Sequence, residues 1–157
     1  MSGGAAMNID KPELALRFVL IGDNTLPIQC ADVLLKAGHS IVAVISSSAP
    51  VVAWAHAEGI THFLQLGDAA HACLSREPFD YLLSIDNGLV LDDKTLSYPS
   101  CLAINYHNAP LPKYAGLHAA SWAIINKEPV HGVTWHVMES AVDAGDILLQ
   151  RFFSLSN

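Results

Sequence analysis

Cysteine, charge and long apolar runs are all scarce in this sequence, and each scarcity excludes a class of protein. The 157 residues contain 3 cysteines and no CxxC pair, which argues against a disulfide framework or a zinc knuckle and suits a reducing cytoplasm. Only 8 residues are Lys or Arg against 15 Asp or Glu, a net charge of -7. Nucleic acid binding needs a basic face for the phosphates, and a membrane span needs an apolar run of roughly 18 residues. We therefore expect a cytoplasmic protein that binds neither nucleic acid nor membrane.

The sequence is rich in apolar side chains, which make up 52% of it. A chain of this length and composition buries one core and is neither disordered nor a coiled coil. Residues 1–10 begin with small residues and lack the basic and apolar regions of a signal peptide. We interpret 1–10 as a flexible tail and 11–157 as a single folded domain.

The first two thirds of the chain alternate short apolar runs with helical patterns. A helix is expected from Thr25 to Gly38, with Pro27 in its first turn. The expected strands are apolar on both faces and comprise Phe18–Ile21, Ile41–Ile45, Thr61–Leu64, Tyr81–Ile85 and Leu102–Tyr106. Such strands, alternating with helices, are typical of a parallel sheet covered on both sides. The pattern predicts an α/β fold: a Rossmann-like, doubly wound, mostly parallel sheet with helices on both faces.

The pattern changes after the fifth strand. A Pro-rich loop spans 107–116, a helix is expected over 119–126, and 132–138 alternates like a strand. A last strand is expected at Ile147–Leu149. Trp122 and Trp135 are expected to pack in the core.

Polar side chains cluster where the fifth strand ends. Residues two apart on a strand point to the same face, so Asn105 and His107 can aim an amide and an imidazole into one cleft. An amide donor beside an imidazole suits an oxyanion that develops on a carbonyl carbon, and the imidazole can handle a proton near neutral pH. The alternative is that Asn105 caps the strand and His107 packs on the loop.

Two loops further along the chain could complete such a site. The loop 110–116 is stiffened by prolines, and Gly116 permits close approach of the backbone, so it could wall a pocket or be an ordinary turn. The loop 142–147 carries Asp143 and Asp146, either of which could orient His107 or relay a proton. Turns favour Asp for their own reasons, and Asp146 at a strand start is the more structural of the two. The eight histidines show no paired ligand spacing, so no metal site is predicted.

Four short motifs, taken in order, resemble the folate-dependent formyltransferase family. They are Asn105-x-His107, the loop 111–116, Gly132-x-Thr134-x-His136 and Asp143-x-Gly145. The likeness is strongest from Leu102 to Gln150, and within the family the motifs look most like formylation domains of non-ribosomal peptide synthetases. Family domains usually continue for a few more elements, which favours a catalytic domain over 11–157 that is truncated at its C-terminus.

The resemblance implies formyl transfer from 10-formyltetrahydrofolate to a primary amine. It implies that Asn105 and His107 stabilise the tetrahedral oxyanion and that Asp143 assists proton transfer. Pro112, Tyr114 and Gly116 would form the substrate loop. The folate would lie against two segments, one with Leu89, Val90, Leu91 and the nearby Leu96, the other with Glu139, Ser140, Ala141 and Val142. For Leu89 to Leu91 the alternative is simple core packing.

The resemblance leaves the acceptor and the partners open. An aminoacyl group on a carrier protein is the first expectation, because the motifs look most like formylation domains of non-ribosomal peptide synthetases. The loop 22–27 lacks the Gly/Ser-rich phosphate cradle expected in a glycinamide ribonucleotide enzyme. A nucleotide-sugar amine is the second, and water, giving a formyltetrahydrofolate deformylase, is the third. A folate-binding or structural module without turnover, as part of a larger synthetase, is a further alternative. One departure from the family pattern is Asp92, which stands where a proline is common.

Overall fold

The computed structural model describes residues 14–155, and the predicted tail at 1–10 lies outside them. Within this range the strands are β1 (Arg17–Ile21), β2 (Ser40–Ile45), β3 (Thr61–Phe63), β4 (Tyr81–Ile85), β5 (Leu102–His107), β6 (Val130–Val137) and β7 (Ile147–Ser154). The helices are α1 (Leu26–Lys36), α2 (Ala49–Ala57), α3 (Asp68–Arg76), α4 (Asp93–Leu96) and α5 (Ala119–Ile125). The strands that were expected from apolar runs all form.

The strands join in one sheet of order β3-β2-β1-β4-β5-β6-β7. The pairs from β3 to β5 are parallel, and β5–β6 and β6–β7 are antiparallel. The chain moves outward from β1 to β3 and then returns to the other side of β1 at β4. This reversal is the switch point of a doubly wound sheet, where ligands bind beyond the carboxyl ends of the strands. The predicted Rossmann-like, mostly parallel sheet is confirmed.

Alternate residues of the central strands feed two separate cores. On one face Leu20 and Val44 pack with Ala31 of α1 and Val51 of α2. On the other face, Val19 and Ile45 of the sheet pack with residues of α3, α4 and the loop between β4 and α4. These residues are Ala70, Leu74, Leu91 and the half-buried Leu96. Because both faces are covered, the strands read as continuous apolar runs, and helices lie on both sides as predicted.

Several features of the structure differ from the sequence-based expectation, among them a helix, the end of a strand and the position of a tryptophan. Helix α3 was not expected, because only Ala70 and Leu74 of its nine residues are buried and its apolar stripe is short. Strand β7 runs to Ser154, well past the expected Leu149, because it pairs with β6 along its whole length. Trp122 was expected in the core and is 52% exposed, since α5 buries only its Ala119–Ala123 edge. That expectation was wrong, whereas Trp135 is half-buried against Tyr106.

Candidate active site

A cavity of about 510 Å³ opens beyond the carboxyl ends of β4 and β5. Its floor is the end of β5, one wall is the loop after β4, and the other wall is the loop between β6 and β7. The lining residues are Ser84, 86–91, 105–108, 116–118, His136, Met138, Glu139 and 141–143. The cavity therefore lies at the carboxyl edge of the parallel strands, where doubly wound sheets bind ligands, one strand away from the switch point between β1 and β4.

The structure brings Asn105, His107 and Asp143 together on one side of this cavity. Asn105 and His107 stand on the same face of β5. Asp143 reaches them from the β6–β7 loop, and its Oδ2 lies 3.6 Å from His107 Nδ1. The two side chains are 9% and 8% exposed, so a charge on either is poorly screened by solvent.

The two ring nitrogens of His107 have different partners. Nε2 lies 2.8 Å from the carbonyl oxygen of Tyr114, and because a carbonyl can only accept, this nitrogen carries a hydrogen. Nδ1 then faces Asp143, whose Oδ2 also accepts a 2.8 Å hydrogen bond from the Gly116 N–H. When Nδ1 is protonated, His107 and Asp143 form a buried ion pair at the edge of the cavity.

His136 is a site residue that was not singled out as functional from the sequence. It pairs with Asn105 in the antiparallel register of β5 and β6. Its Nε2 lies 3.2 Å from Asn105 Nδ2 and 3.5 Å from Asp143 Oδ1. The signal that could have found it is the motif Gly132-x-Thr134-x-His136, whose three residues share one face of a strand.

The other two residues of that motif hold the Pro-rich loop in place. Thr134 is fully buried, and its hydroxyl donates to the Ala109 carbonyl at 2.7 Å and accepts from the Leu111 N–H at 3.1 Å. A Cβ on Gly132 would lie 2.7 Å from the Arg151 carbonyl oxygen, so only glycine fits there without a shift. The motif thus fixes the loop that presents the Tyr114 carbonyl to His107.

Close packing also sets the path of the loop that carries Asp143. A Cβ on Gly145 would lie 2.0 Å from the Val137 carbonyl oxygen, and the Val137 N–H donates to the Asp146 carbonyl at 2.9 Å. Asp143 itself has a φ of 54°, a left-handed conformation that costs a non-glycine residue free energy and tends to occur at functional sites. The glycine of the motif Asp143-x-Gly145 therefore has a steric origin.

The segments expected to hold the folate face each other across the cavity. Leu89, Val90 and Leu91 lie on one wall, and Glu139, Ala141 and Val142 on the other. Core packing accounts for Leu91, which is 5% exposed, but not for Leu89 or Val90, which are 57% and 77% exposed. An exposed apolar rim of this kind is typical of a ligand site.

Two residues expected beside the folate do not line the cavity. Ser140 turns away and donates a 2.6 Å hydrogen bond to Asp93 at the start of α4, which ties the two walls together. Leu96 lies on α4 and packs against the core. Helix α4 also explains the departure at Asp92, whose carboxylate caps it by accepting from the Thr95 N–H at 2.9 Å. The hydrogen bonds from Thr95 lower the pKa of Asp92.

Of the expected substrate loop, only Gly116 lines the cavity. Tyr114 contributes its backbone carbonyl to His107, and its hydroxyl donates to Glu128 at 2.8 Å. Lys113 donates to the same carboxylate at 2.7 Å, and the two bonds lower the pKa of Glu128. Pro112 follows the cis Leu111–Pro112 bond and lies outside the cavity lining. These contacts anchor the loop to the end of α5.

The cavity lining carries acidic side chains and no Lys or Arg. Asp86, Glu139 and Asp143 are its carboxylates. Burial, with a contribution from the Asp86 carboxylate, raises the pKa of Tyr106, so its phenol stays neutral at physiological pH. Between residues 14 and 155, no group of three or more His, Cys, Asp or Glu side chains is arranged to hold a metal ion. No helix in that same range is long and apolar enough to cross a membrane.

Solved structures similar to this chain in fold include formyltransferases and a formyltetrahydrofolate deformylase. Glycinamide ribonucleotide transformylase 1 from Symbiobacterium toebii superposes with a TM-score of 0.77 at 21% identity, over 91% of this chain and 75% of that one. WlaRD, a sugar 3N-formyl transferase solved with dTDP and 5-N-formyl-THF, gives a TM-score of 0.74 at 20% identity, over 90% of this chain and 53% of that one. At these identities the likeness establishes the fold.

The sequence comparisons identify the family. A methionyl-tRNA formyltransferase from Pelotomaculum thermopropionicum is 28% identical over 156 residues, which cover 90% of this chain and 50% of that protein. The chain therefore spans about half the length of the curated relatives it matches. The family model described as "Formyl transferase" matches residues 28–155, which include both walls of the cavity and all four motifs. The chain belongs to the formyl transferase family.

Proposed function

We propose that this protein transfers a formyl group from 10-formyltetrahydrofolate to a primary amine. The observation that carries the proposal is the convergence of Asn105, His107 and Asp143 beside a cavity with an apolar rim. Membership of the family supports the same reaction. The structural relative WlaRD, solved with 5-N-formyl-THF, supports a folate in this cavity.

The donor's ring system is proposed to lie between the two apolar walls. Leu89 and Val90 on one side and Ala141 and Val142 on the other would cover its faces, and backbone groups of the 139–143 loop would read its amide edge. The cavity of about 510 Å³ falls within the usual range of roughly 300–1,000 Å³ for small-molecule sites. The formyl group would then project toward Asn105 and His107.

Each polar residue has a distinct role in the proposed reaction. The amine nitrogen attacks the formyl carbon, and the carbonyl oxygen becomes an oxyanion, which the Asn105 amide stabilises by donating a hydrogen bond and protonated His107 stabilises by its positive charge. Asp143 accepts a proton from the attacking amine, directly or through water. The bond from the formyl carbon to folate N10 then breaks, and N10 receives a proton as tetrahydrofolate leaves. Losing one oxyanion donor typically lowers kcat by about 10²–10³.

The acceptor is proposed to be an aminoacyl group on a carrier protein. An anionic acceptor is disfavoured, since the cavity lining has three carboxylates and no Lys or Arg. The loop after β1 is also engaged with acidic groups, because Asn24 donates to Asp86 at 2.6 Å and Asp23 accepts from Ser46 at 2.7 Å. It therefore offers no free phosphate cradle. Transfer RNA, the substrate named for the curated relatives, fits poorly with a net charge of -7.

The experiment is to measure tetrahydrofolate release from 10-formyltetrahydrofolate with a panel of acceptors. The panel holds an aminoacyl carrier protein, a nucleotide-linked amino sugar, glycinamide ribonucleotide, methionyl-tRNA and buffer alone. The fastest release is expected with the aminoacyl carrier. If tetrahydrofolate is released faster with the amino sugar, the ribonucleotide or the tRNA, that compound is the acceptor and the carrier proposal is wrong. Equal release in buffer alone would make the protein a deformylase. If no mixture releases tetrahydrofolate above the rate of the His107→Ala variant, the proposed reaction is wrong.

A further inference from the structure

We propose that His136 is a positioning residue, which fixes the orientation of the Asn105 side-chain amide in the cavity. The proposal rests on the proposed formyl transfer, because it assigns a direction to the amide that meets the formyl oxygen. It is carried by a chain of three contacts, from the Val137 carbonyl through the His136 ring to Asn105.

The backbone determines which His136 nitrogen carries the hydrogen. Nδ1 lies 2.9 Å from the Val137 carbonyl oxygen, and a carbonyl can only accept, so Nδ1 is the donor. In the neutral ring Nε2 is then a bare acceptor. It faces Asn105 Nδ2 at 3.2 Å, and the amide N–H donates to it. The His136 side chain is 3% exposed, so water has little access to take the place of either partner.

Asp143 is the competing partner for the same nitrogen. Its Oδ1 lies 3.5 Å from His136 Nε2, too far and without a hydrogen between them when the ring is neutral. The other carboxylate oxygen accepts from Gly116, which holds Asp143 independently of His136. In the neutral ring, His136 Nε2 therefore accepts a hydrogen bond from Asn105 and not from Asp143.

Asn105 depends on this single contact. Among residues 14–155 its side chain makes no other hydrogen bond. The oxygen and nitrogen ends of an asparagine amide have nearly the same shape and differ in hydrogen bonding. Without His136 the amide could rotate by half a turn and exchange its donor and acceptor ends. An amide oxygen turned toward the formyl oxygen would repel the developing negative charge instead of stabilising it.

The test is a double-mutant cycle on the full chain. His136→Leu should lower kcat by at least about tenfold. The loss should not exceed the 10²–10³ expected for loss of the Asn105 donor itself. In the Asn105→Ala background the same substitution should change kcat by less than about threefold, because the residue it orients is gone. His136→Gln, which keeps an acceptor near the position of Nε2, should restore most of the rate. Donor KM should stay within about twofold throughout, because His136 acts on the bound formyl group.

His131→Gln is the matched control, since His131 is a second buried histidine of β6 that bonds the Asn108 carbonyl. Any loss it causes should multiply with that of Asn105→Ala. If the losses from His136→Leu and Asn105→Ala also multiply, or if His136→Gln is as slow as His136→Leu, the positioning role is refuted.

A measurement without turnover separates this proposal from the proposed function. The ¹⁵N chemical shifts of the His136 ring should show a protonated Nδ1 and an unprotonated Nε2 in the wild-type protein at neutral pH. A protonated Nε2 would overturn the assignment whether or not the protein transfers a formyl group. If the shifts are as expected but wild-type protein transfers no formyl group to any amine, the proposed function fails while the orientation of Asn105 stands.

Discussion

Removing the hydroxyl of Thr134 should destabilise the protein through the Pro-rich loop. The side chain is fully buried, and its oxygen makes three hydrogen bonds, to the Ala109 carbonyl at 2.7 Å, from the Leu111 N–H at 3.1 Å and from Gln150 Nε2 at 3.0 Å. Thr134→Val preserves the shape and removes all three. At about 0.5–1.5 kcal/mol for each net hydrogen bond, the free energy of unfolding should fall by about 1.5–4.5 kcal/mol.

The loss of unfolding free energy stays at that level because the groups bonded to the Thr134 hydroxyl have second hydrogen-bond partners. The Leu111 N–H also donates to the Ala109 carbonyl at 3.1 Å, and Gln150 Nε2 also donates to the Leu111 carbonyl at 2.6 Å. The groups that lose the hydroxyl therefore keep one partner each. Without those second contacts, every unpaired buried group would cost roughly 1–3 kcal/mol.

Urea unfolding of the wild type, Thr134→Val and Thr134→Ser provides the assay. Thr134→Ser keeps the hydroxyl and deletes one buried methyl, which costs about 1 kcal/mol. For a domain of this size, Tm should fall by about 2–4 °C for each kcal/mol. The valine variant should also lose kcat, since the loop no longer holds the Tyr114 carbonyl against His107. If the valine variant is as stable as the serine variant or more so, the assigned role of the hydroxyl is wrong.

Three further changes probe the walls of the cavity and its anchoring. Gly145→Ala puts a Cβ 2.0 Å from the Val137 carbonyl oxygen, so the loop must shift and kcat should fall by about 10² while the far-UV circular dichroism stays native. Val142→Asp, at a position 62% exposed, should leave Tm nearly unchanged. It should raise donor KM about tenfold or more, because the bound folate would bury the new carboxylate. An unchanged KM would show that Val142 is not part of the donor site. The pKa of Asp92 is lowered by its capping bonds, so its contribution to stability is present above the ordinary Asp pKa and is lost as pH falls through the folded value. The gap in unfolding free energy between wild type and Asp92→Ala should therefore shrink from pH 7 to pH 3, and a gap that widens would contradict the sign.

The central sheet could be predicted from the sequence because its strands are buried on both faces. Phe18–Ile21 and Ile41–Ile45 are continuous apolar runs, and the structure buries them between two layers of helices. Helix α3 could not be found in the same way. Only two of its residues, Ala70 and Leu74, are buried against the core, so the helical periodicity of its apolar residues is weak.

Local pattern also predicted which residues of β5 point together. Asn105 and His107 share a face because they are two apart on a strand. His136 escaped attention because its place beside Asn105 depends on the register between β5 and β6, which alternation within one strand does not specify. The loop 142–147 offered both Asp143 and Asp146 as partners of His107, and the family resemblance selected Asp143, since a loop residue 36 positions from His107 has no local signal for the contact.

For the residues expected around the folate, the sequence predicts which segments line the cavity but not which side chains of a segment face it. Leu89 and Val90 line the cavity, but Leu96 does not, because the capped turn of α4 points it into the core. Ser140 sits inside a lining loop and turns outward to Asp93. The family resemblance implied that both lie beside the folate, and neither side chain lines the cavity.

The rate of formyl transfer by wild-type protein and by the Asn105→Ala, His107→Ala and Asp143→Asn variants tests the account most directly. With 10-formyltetrahydrofolate and the best acceptor of the panel, each variant should lose about 10² or more in kcat. The three losses should not multiply when the substitutions are combined, because the residues act as one unit. Variants that keep the wild-type rate would contradict the claim that these three side chains carry the reaction.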